Sequence, residues 1–402
     1  MGLPQPGQAM QIYLDYSATT PPRPEAIAAL GAAMTASCGN PSSLHVWGSR
    51  AATVMEMARM QVAELIGASA DAIAFTANGT EANNLAIMGV AQQYRRPRHM
   101  IISAVEHSAI AKPAALLEQQ GWHITRLPVD SYGQINPTDL ARALRDDTVL
   151  VSVIYGQSEV GTVQPIPELA AVIQSGDSLS KPLFHSDAVQ VAGRLPIDVQ
   201  TLGVDLLSIS SHKLYGPQGA GALYVKPGTD LVPLLHGGGQ ETNLRSGTQA
   251  VPTIAGFGAA AELANQELSQ ENQRLQRLRD RLIKQLQGYP ELVLTGHPQR
   301  RLPHHVSFYL PHADGKRVTG KTLVRQLNLA GIGISAGSAC HSGKLTPSPI
   351  LKAMGFSDAA AKTGIRLTLG HQTTEADVDW TAMVLRQIVE RVMVSQLATV
   401  EI

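Results

Sequence analysis

The sequence predicts an α/β protein in which a mostly parallel sheet is covered by helices, together with a smaller α+β domain. Short apolar runs rich in Val, Ile and Leu alternate with longer helical patterns along the first two-thirds of the chain. These runs are apolar almost throughout, which is typical of parallel strands with both faces buried. From about residue 259 the pattern changes to one long amphipathic helix and then to further strands, which indicates a second sheet.

Six segments predict strands of the larger sheet, and three predict strands of the smaller one. The first group comprises residues 71–77, 99–107, 148–156, 182–188, 204–213 and 221–227. The second group comprises residues 304–310, 331–337 and 364–370, followed by a last helix around 375–394. We therefore expect a large domain over residues 13–262. The small domain, which carries the Cys340 loop, would consist of residues 263–402 together with residues 1–12.

The long helix is predicted by leucines at helical spacing, namely Leu268, Leu275, Leu278, Leu282 and Leu286. Gly288 and Pro290 end the pattern. A coiled-coil seam is one explanation of this helix. We prefer a helix that links and braces the two domains, because a single helix of this length more often has that role.

Composition narrows the choice of partners. The 402 residues are 44% hydrophobic, and 32 basic residues balance 32 acidic ones, so nothing favours nucleic acid or a membrane surface. No apolar stretch is long enough to span a bilayer. Two cysteines make no disulfide framework, and the first residues lack the apolar run of a signal peptide. We expect a cytoplasmic protein whose partners are small molecules or proteins.

Lys213 directly follows a strand of buried type, in the sequence Ser210-Ser211-His212-Lys213. Ligands of open parallel sheets bind at the carboxyl ends of the strands. A lysine there projects into a cleft, where desolvation lowers the pKa of the amine and makes it nucleophilic. We expect Lys213 to form a Schiff base, although an isolated lysine is more often a surface residue.

Asp187 ends another predicted strand, and Gln190 follows three residues later. A carboxylate at such a place can bond the protonated pyridine nitrogen of pyridoxal phosphate, which makes that ring a strong electron acceptor. The alternative for Asp187 is a helix cap.

Gly79 and Thr80 open a predicted helix at the end of a strand, which is a ready site for a phosphate. Ser210 and His212 offer two further hydrogen-bond donors to the same group. A plain helix N-cap would have the same sequence, so the phosphate site is one of two explanations.

His107 and Arg366 are two more polar residues in unusual places. His107 lies at a strand end, where an imidazole can stack on a flat ring or transfer a proton, or can be an ordinary core or surface residue. Arg366 lies inside an otherwise apolar strand, and a buried arginine needs an anion. A substrate carboxylate would supply one, and so would an internal salt bridge.

Cys340 lies in the segment GISAGSACHSGKLTPS, among glycines and serines. A structural cysteine is usually buried among apolar neighbours instead. Small, flexible flanks suit a thiol that a reagent must reach, and reaction requires thiolate character and access.

Seven motifs, in this order, resemble the cysteine desulfurases of the class V aminotransferase group, which are fold-type I pyridoxal phosphate enzymes. They are YLDYSATTP, GNPSS, GTEANNLA, EHSAI, SHKLYGP, HGGGQETNLRSGT and GSAC. The long Cys340 loop is similar to that of the housekeeping and nitrogen-fixation branch. The resemblance implies a large domain with a mostly parallel seven-stranded sheet, and a homodimer with pyridoxal 5'-phosphate bound near the subunit interface.

The resemblance also implies roles for individual residues. Cofactor contacts fall on Lys213, Asp187, Gln190, Gly79, Thr80, Ser210, His212, His107, Ser158 and, from the second subunit, Thr248. Catalytic roles fall on Lys213, Cys340 and His107, and Arg366 would bind the substrate carboxylate. The family usually has Asn at position 158, so Ser158 is a departure that would change cofactor affinity or the placement of the substrate. No metal site is expected.

The implied function is conversion of L-cysteine to L-alanine, with the sulfur held as a persulfide on Cys340 and passed to an acceptor protein. The acceptor would be an iron–sulfur scaffold or a sulfurtransferase, serving cluster assembly or thiolation of cofactors or tRNA, and transient ligation of a cluster by Cys340 is left open. Alternatives are a cysteine, cystine or selenocysteine lyase on the same fold, and a binding platform without catalysis in a sulfur-transfer assembly.

Overall fold

The computed structural model describes residues 11–176, 181–316, 318–337 and 346–397. The strands are β1 (Ile12–Tyr13), β2 (Ile73–Thr76), β3 (His99–Ser103), β4 (His123–Leu127), β5 (Thr148–Ile154), β6 (Leu183–Asp187), β7 (Leu206–Ser210), β8 (Gly221–Val225), β9 (Val293–Leu294), β10 (His305–Tyr309), β11 (Ile332–Gly333), β12 (Ser335–Ala336) and β13 (Ile365–Thr368). The helices are α1 (Pro24–Ala36), α2 (Val46–Leu65), α3 (Gly79–Ala91), α4 (Ser108–Gln119), α5 (Pro137–Ala143), α6 (Ile166–Ser175), α7 (Val199–Leu202), α8 (Val251–Leu286), α9 (Gly320–Leu329), α10 (Pro349–Ala353), α11 (Asp358–Ala361) and α12 (Glu375–Leu397).

The large sheet has seven strands in the order β2-β8-β7-β6-β5-β3-β4. Its neighbours pair in parallel except β8, which is antiparallel to both β2 and β7. The predicted mostly parallel α/β fold is therefore confirmed. The sequence interpretation missed β4, because this edge strand is largely exposed and its residues HITRL form no apolar run.

Helices cover both faces of the large sheet, which explains why its inner strands are mostly apolar. On β3, Ile101 packs into a core with α2, α6 and the first part of α8. Its neighbours Met100 and Ile102 point the other way, into a core with α3 and α4. Each fully buried side chain of this size stabilises the fold by about 1.5–3 kcal/mol, so an alternating polar pattern would be costly here.

The smaller sheet has the order β12-β13-β10-β9 and is antiparallel, and a separate parallel pair joins β1 to β11. Residues 331–337, predicted as one strand, form two short strands with different partners. Ile332 pairs with Ile12 of β1, whereas Ser335 pairs with Arg366 of β13. The N-terminal part of the described chain thus belongs to the core of the small sheet, together with Leu14.

Helix α8 is 36 residues long and contacts both cores. Phe257 packs against the large sheet, whereas Leu278 and Leu282 pack into the core of the small sheet. The helix starts earlier than predicted, with Pro252 in its first turn, where a missing N–H costs nothing. The predicted boundary between residues 262 and 263 falls within this helix, and the domain division stays a prediction. In the described part of the chain, no helix is both long and apolar enough to cross a bilayer.

The loop before α8 has an unusual backbone. Residues 241–243 have φ angles of 48°, 54° and 66°, in a region that non-glycine residues seldom adopt. The buried Glu241 carboxylate anchors this turn, because it accepts hydrogen bonds from Arg59 at 2.7 and 3.1 Å and from the Phe75 amide at 2.9 Å. The same loop carries Thr248.

Candidate active site

A cavity of about 610 Å³ lies at the carboxyl ends of β5, β6 and β7. The predicted site residues that line it are Gly79, Thr80, His107, Ser158, Asp187, Gln190, Ser210, His212, Lys213 and Arg366. Ser335, Ala336 and Gly337 add a wall from the small sheet and the residue that follows it. Residues separated by up to almost 300 positions in the sequence therefore share one cavity.

One predicted site residue within the described structure, Thr248, does not line this cavity. Thr248 is exposed on the loop before α8. Cys340 lies outside the described residues, so its placement stays a prediction. The described chain reaches Gly337 on one side of Cys340 and resumes at Thr346 on the other, and both of these residues line the cavity.

Lys213 ends a single 3₁₀ turn that directly follows β7. Its Nζ donates hydrogen bonds to the carbonyl oxygens of Ser17 at 2.6 Å and Ala18 at 2.7 Å. Burial lowers the pKa of Lys213 to about 8, helped by the positive charge of Arg366 and opposed by two nearby carboxylates. A nucleophilic neutral amine is therefore accessible near neutral pH, as the strand-end position predicts.

Asp187 ends β6 and is almost fully buried. Its Oδ2 accepts a hydrogen bond from Asn83 Nδ2 at 2.7 Å, and its Oδ1 accepts one from the Val189 amide at 3.0 Å. The sequence interpretation missed Asn83, although it lies three residues after Thr80 and hence on the same side of α3. The Asn83 Oδ1 is buried and has no hydrogen-bond partner among the described residues.

The start of α3 and the end of β7 meet at one corner of the cavity, which we call the phosphate corner. A Cβ on Gly79 would lie 2.7 Å from Val189 Cγ2, so a larger residue there requires Val189 or the start of α3 to shift. The Ser210 hydroxyl is buried, with no partner among the described residues, and thus has a free donor. An unpaired hydroxyl beside the N–H groups of a helix's first turn fits the phosphate of pyridoxal phosphate.

His212 and His107 lie on either side of this region, and both are held neutral. Burial lowers the pKa of His212 to about 4, and the charge of Lys213 adds to the effect. His107 caps α4 by accepting the Ala109 amide on Nδ1 at 3.1 Å, so the proton of the neutral ring is on Nε2. Burial also lowers the pKa of His107, although its ring is accessible from the cavity.

Arg366 on β13 has partners within the chain. Its Nη2 lies 2.7 Å from Asp15 Oδ1, its Nη1 donates to the Ser158 carbonyl at 2.9 Å, and its Nε is buried without a partner in the described structure. Of the two explanations offered by the sequence, the internal salt bridge is present. The guanidinium still lines the cavity, so a ligand carboxylate can also reach it.

Ser17 and Ala18, within the first of the seven motifs, form one side of the site. The Ser17 carbonyl accepts hydrogen bonds from Gln190 Nε2 at 2.9 Å as well as from Lys213. Gln157, next to Ser158, also lines the cavity, but its side-chain oxygen does not point to a ligand site. Its Oε1 instead accepts the amides of Glu159 and Val160 within its own turn.

Two buried glutamates line the cavity and were missed in the sequence. Burial raises the pKa of both Glu106 and Glu159 to about 8, so each is mostly protonated at neutral pH. Glu106 Oε1 accepts hydrogen bonds from Ser103 Oγ at 2.5 Å and the Ile154 amide at 2.8 Å. Each of these glutamates follows a strand, which is the signal that singled out Asp187.

Comparisons with known proteins identify the family of the chain. The sequence profile of the family Aminotransferase class-V matches residues 12–380. The chain is 44% identical to "Cysteine desulfurase IscS" of Dictyoglomus turgidum, over 95% of each chain. It is 42% identical to the protein of the same name from Methanosarcina thermophila, over 94% of this chain and 92% of that one. A solved "NifS-like protein" superposes with a TM-score of 0.87 at 33% identity, covering 95% of this chain and all of that one.

Proposed function

We propose, from the family to which the chain belongs, that its cavity converts L-cysteine to L-alanine while Cys340 receives the sulfur. The chain is a member of the aminotransferase class-V family and, within it, of the pyridoxal phosphate-dependent cysteine desulfurases. The observation that carries the proposal is the convergence of Lys213, Asp187 and Arg366 on one cavity. A nucleophilic amine, a buried carboxylate and a guanidinium are the groups that this chemistry needs.

Pyridoxal phosphate, when bound, supplies an aldehyde that combines with amines and a ring that withdraws electrons from the joined amino acid. We assign its phosphate to Ser210, His212 and the first turn of α3. The Asp187 carboxylate would face the ring nitrogen and keep it protonated, because a negative charge held by two hydrogen bonds favours a cationic neighbour. His107, which lines the same cavity, would lie against the face of the ring.

Lys213 is assigned the transfer of protons at the substrate. Its lowered pKa leaves a larger fraction of the amine neutral near neutral pH, and the neutral amine can remove the proton from the substrate α-carbon. The carbonyl oxygens of Ser17 and Ala18 then accept the N–H groups of the resulting ammonium. Arg366 binds the substrate carboxylate and so fixes which bonds of the substrate face Lys213.

Cys340 is assigned the sulfur transfer. Its thiolate attacks the sulfur of the bound substrate, so an S–S bond forms while the C–S bond of the substrate breaks. The electron pair of the broken bond stays with the substrate carbon, which takes a proton to become the methyl group of L-alanine. Cys340 is left as a persulfide, and one thiol group has moved without any external oxidant.

The test is mass spectrometry of the holoenzyme after incubation with L-cysteine. We expect one added sulfur on the Cys340 peptide together with free L-alanine, and neither product in Cys340→Ser. Cys38→Ser is the matched control, because Cys38 is the second of the two cysteines and is exposed; it should behave like the unchanged protein. Sulfur release at an unchanged rate in Cys340→Ser would instead identify a lyase.

We infer that the active form is a homodimer. Five large apolar side chains are exposed on α2 or just before it. They are Leu44, Val46, Trp47, Met57 and Met60. Such a patch is typical of an interface. Thr248 is exposed and does not line the cavity of its own chain, which suits a residue that contributes to the site of a second copy.

Mixing two variants tests this arrangement. Lys213→Ala retains Thr248, and Thr248→Val retains Lys213, so a mixed dimer contains one site with both residues. We expect the mixture to regain a high-affinity cofactor site that neither variant has alone. A mixture that binds no better than its parts would place Thr248 outside the site of the second copy.

The sulfur acceptor and the location complete the proposal. We propose a protein acceptor for the persulfide, either an iron–sulfur scaffold or a sulfurtransferase, and a cytoplasmic location. A reducing compartment suits a protein that depends on a reactive thiol and has no disulfide framework. Transfer of ³⁵S from labelled L-cysteine to co-purified proteins would identify the acceptor, and cell fractionation would check the location.

A further inference from the structure

Arg366 lines the cavity and also forms an ion pair with a carboxylate of the same chain. Asp15 Oδ1 lies 2.7 Å from Arg366 Nη2, and the two side chains are only 18% and 12% exposed. Arg366 lines the cavity, whereas Asp15 does not. Asp15 therefore holds the guanidinium from outside the cavity wall.

The position of Asp15 is fixed by contacts that do not involve Arg366. Its Oδ2 accepts a hydrogen bond from Ser335 Oγ at 2.8 Å. Its backbone forms a bridge with Thr368, two residues beyond Arg366 on β13. Because both its backbone and its second oxygen are held, the charge of Asp15 remains beside the guanidinium when a ligand enters the cavity.

A count of donors shows what remains for a ligand. A guanidinium has five N–H groups. One on Nη2 goes to Asp15, one on Nη1 goes to the Ser158 carbonyl, and the Nε group is buried. One N–H on each Nη atom is left for a ligand carboxylate. A carboxylate bound there faces the like charge of Asp15 across a single guanidinium, and this repulsion weakens its binding.

We propose that Asp15 is a positioning residue that limits how tightly Arg366 holds the carboxylate of substrate and product. This rests on the proposed binding of the substrate carboxylate by Arg366. L-cysteine and L-alanine have the same carboxylate, so a tighter hold stabilises both and does not accelerate the chemical step. Asp15 keeps the guanidinium oriented by its hydrogen bond, while its charge favours the release of L-alanine.

The test compares two ligands of the holoenzyme that differ only by a carboxylate, L-alanine and ethylamine. Asp15→Asn removes the charge and retains an oxygen that accepts from Arg366. We expect the dissociation constant of L-alanine, measured from the cofactor absorbance, to fall on the order of tenfold, and that of ethylamine to change much less. Any effect through the Lys213 amine changes the dissociation constants of both ligands by the same factor. The ratio of the two dissociation constants therefore reports on the carboxylate alone.

Two further variants separate the possible failures. Arg366→Lys loses the planar fork and should weaken L-alanine but not ethylamine; an unchanged ratio would refute the proposed role of Arg366 itself. If Arg366→Lys behaves as expected while Asp15→Asn leaves the ratio unchanged or weakens L-alanine, the inference about Asp15 alone is wrong. Asp15→Ser, also neutral, replaces Asp15→Asn if the latter does not fold, with the same expected direction.

Discussion

Replacement of Asn83 by Leu should weaken cofactor binding through its effect on Asp187. The substitution removes the 2.7 Å hydrogen bond to Asp187 Oδ2 and leaves that buried oxygen without its side-chain donor. A hydrogen bond to a charged group contributes about 1.5–3 kcal/mol. Loss of it disfavours the ionised carboxylate that we assign to the ring nitrogen. We therefore expect the affinity for pyridoxal phosphate to fall about 10- to 100-fold, since each 1.4 kcal/mol is a factor of ten.

The assay is a titration of cofactor-free protein with pyridoxal phosphate, followed by absorbance or tryptophan fluorescence. Asn84→Leu is the matched control, because Asn84 is the same residue type one position along α3 and donates instead to the Thr80 carbonyl at 2.9 Å. Equal dissociation constants for the two variants would refute the role of Asn83. A further check is Asn83→Asp, which places a second carboxylate beside Asp187 and should bind the cofactor more weakly as the pH rises.

Three further predictions concern stability and the phosphate corner. Burial raises the pKa of Glu159 to about 8, so the folded state keeps a proton that the unfolded state loses above about pH 4.5. The free energy of unfolding therefore falls as the pH rises from about 4.5 to about 8. We expect Glu159→Gln to raise the unfolding temperature more at pH 7.5 than at pH 5. Glu241→Gln breaks a buried ion pair and should cost about 3–5 kcal/mol in chemical denaturation, whereas Glu118→Gln, in an exposed pair, should cost under about 1 kcal/mol. Gly79→Ala should change the free energy of pyridoxal phosphate binding more than the free energy of unfolding. The new Cβ would lie 2.7 Å from Val189 Cγ2 and would displace the start of α3, to which we assign the phosphate.

The sequence was sufficient for the features that depend on local order along the chain. Buried strands that end in Asp187, Lys213 and His107 predict an α/β fold with polar groups at one edge of the sheet, and the motifs identify the family. Both the fold class and the family are confirmed. The roles of the individual residues stay predictions, although the structure brings every predicted site residue that it describes, except Thr248, to one cavity.

The features missed in the sequence depend on contacts between distant segments. Asp15 meets Arg366 across 351 positions, and Asn83 meets Asp187 across 104. No periodicity or spacing reveals such a pair, because each partner alone looks like an ordinary polar residue. The exposed edge strand β4 was missed for a different reason, since half-exposed strands of mixed polarity give no apolar signal.

The central claim is that the Lys213 amine holds the cofactor covalently in the cavity that it shares with Asp187. Reduction of the holoenzyme with borohydride, followed by peptide mapping, tests this most directly. We predict that the phosphopyridoxyl group is found on the Lys213 peptide and is absent from that peptide in unreduced protein. Label on a different lysine, or no label in a protein that is yellow before reduction, would contradict the account.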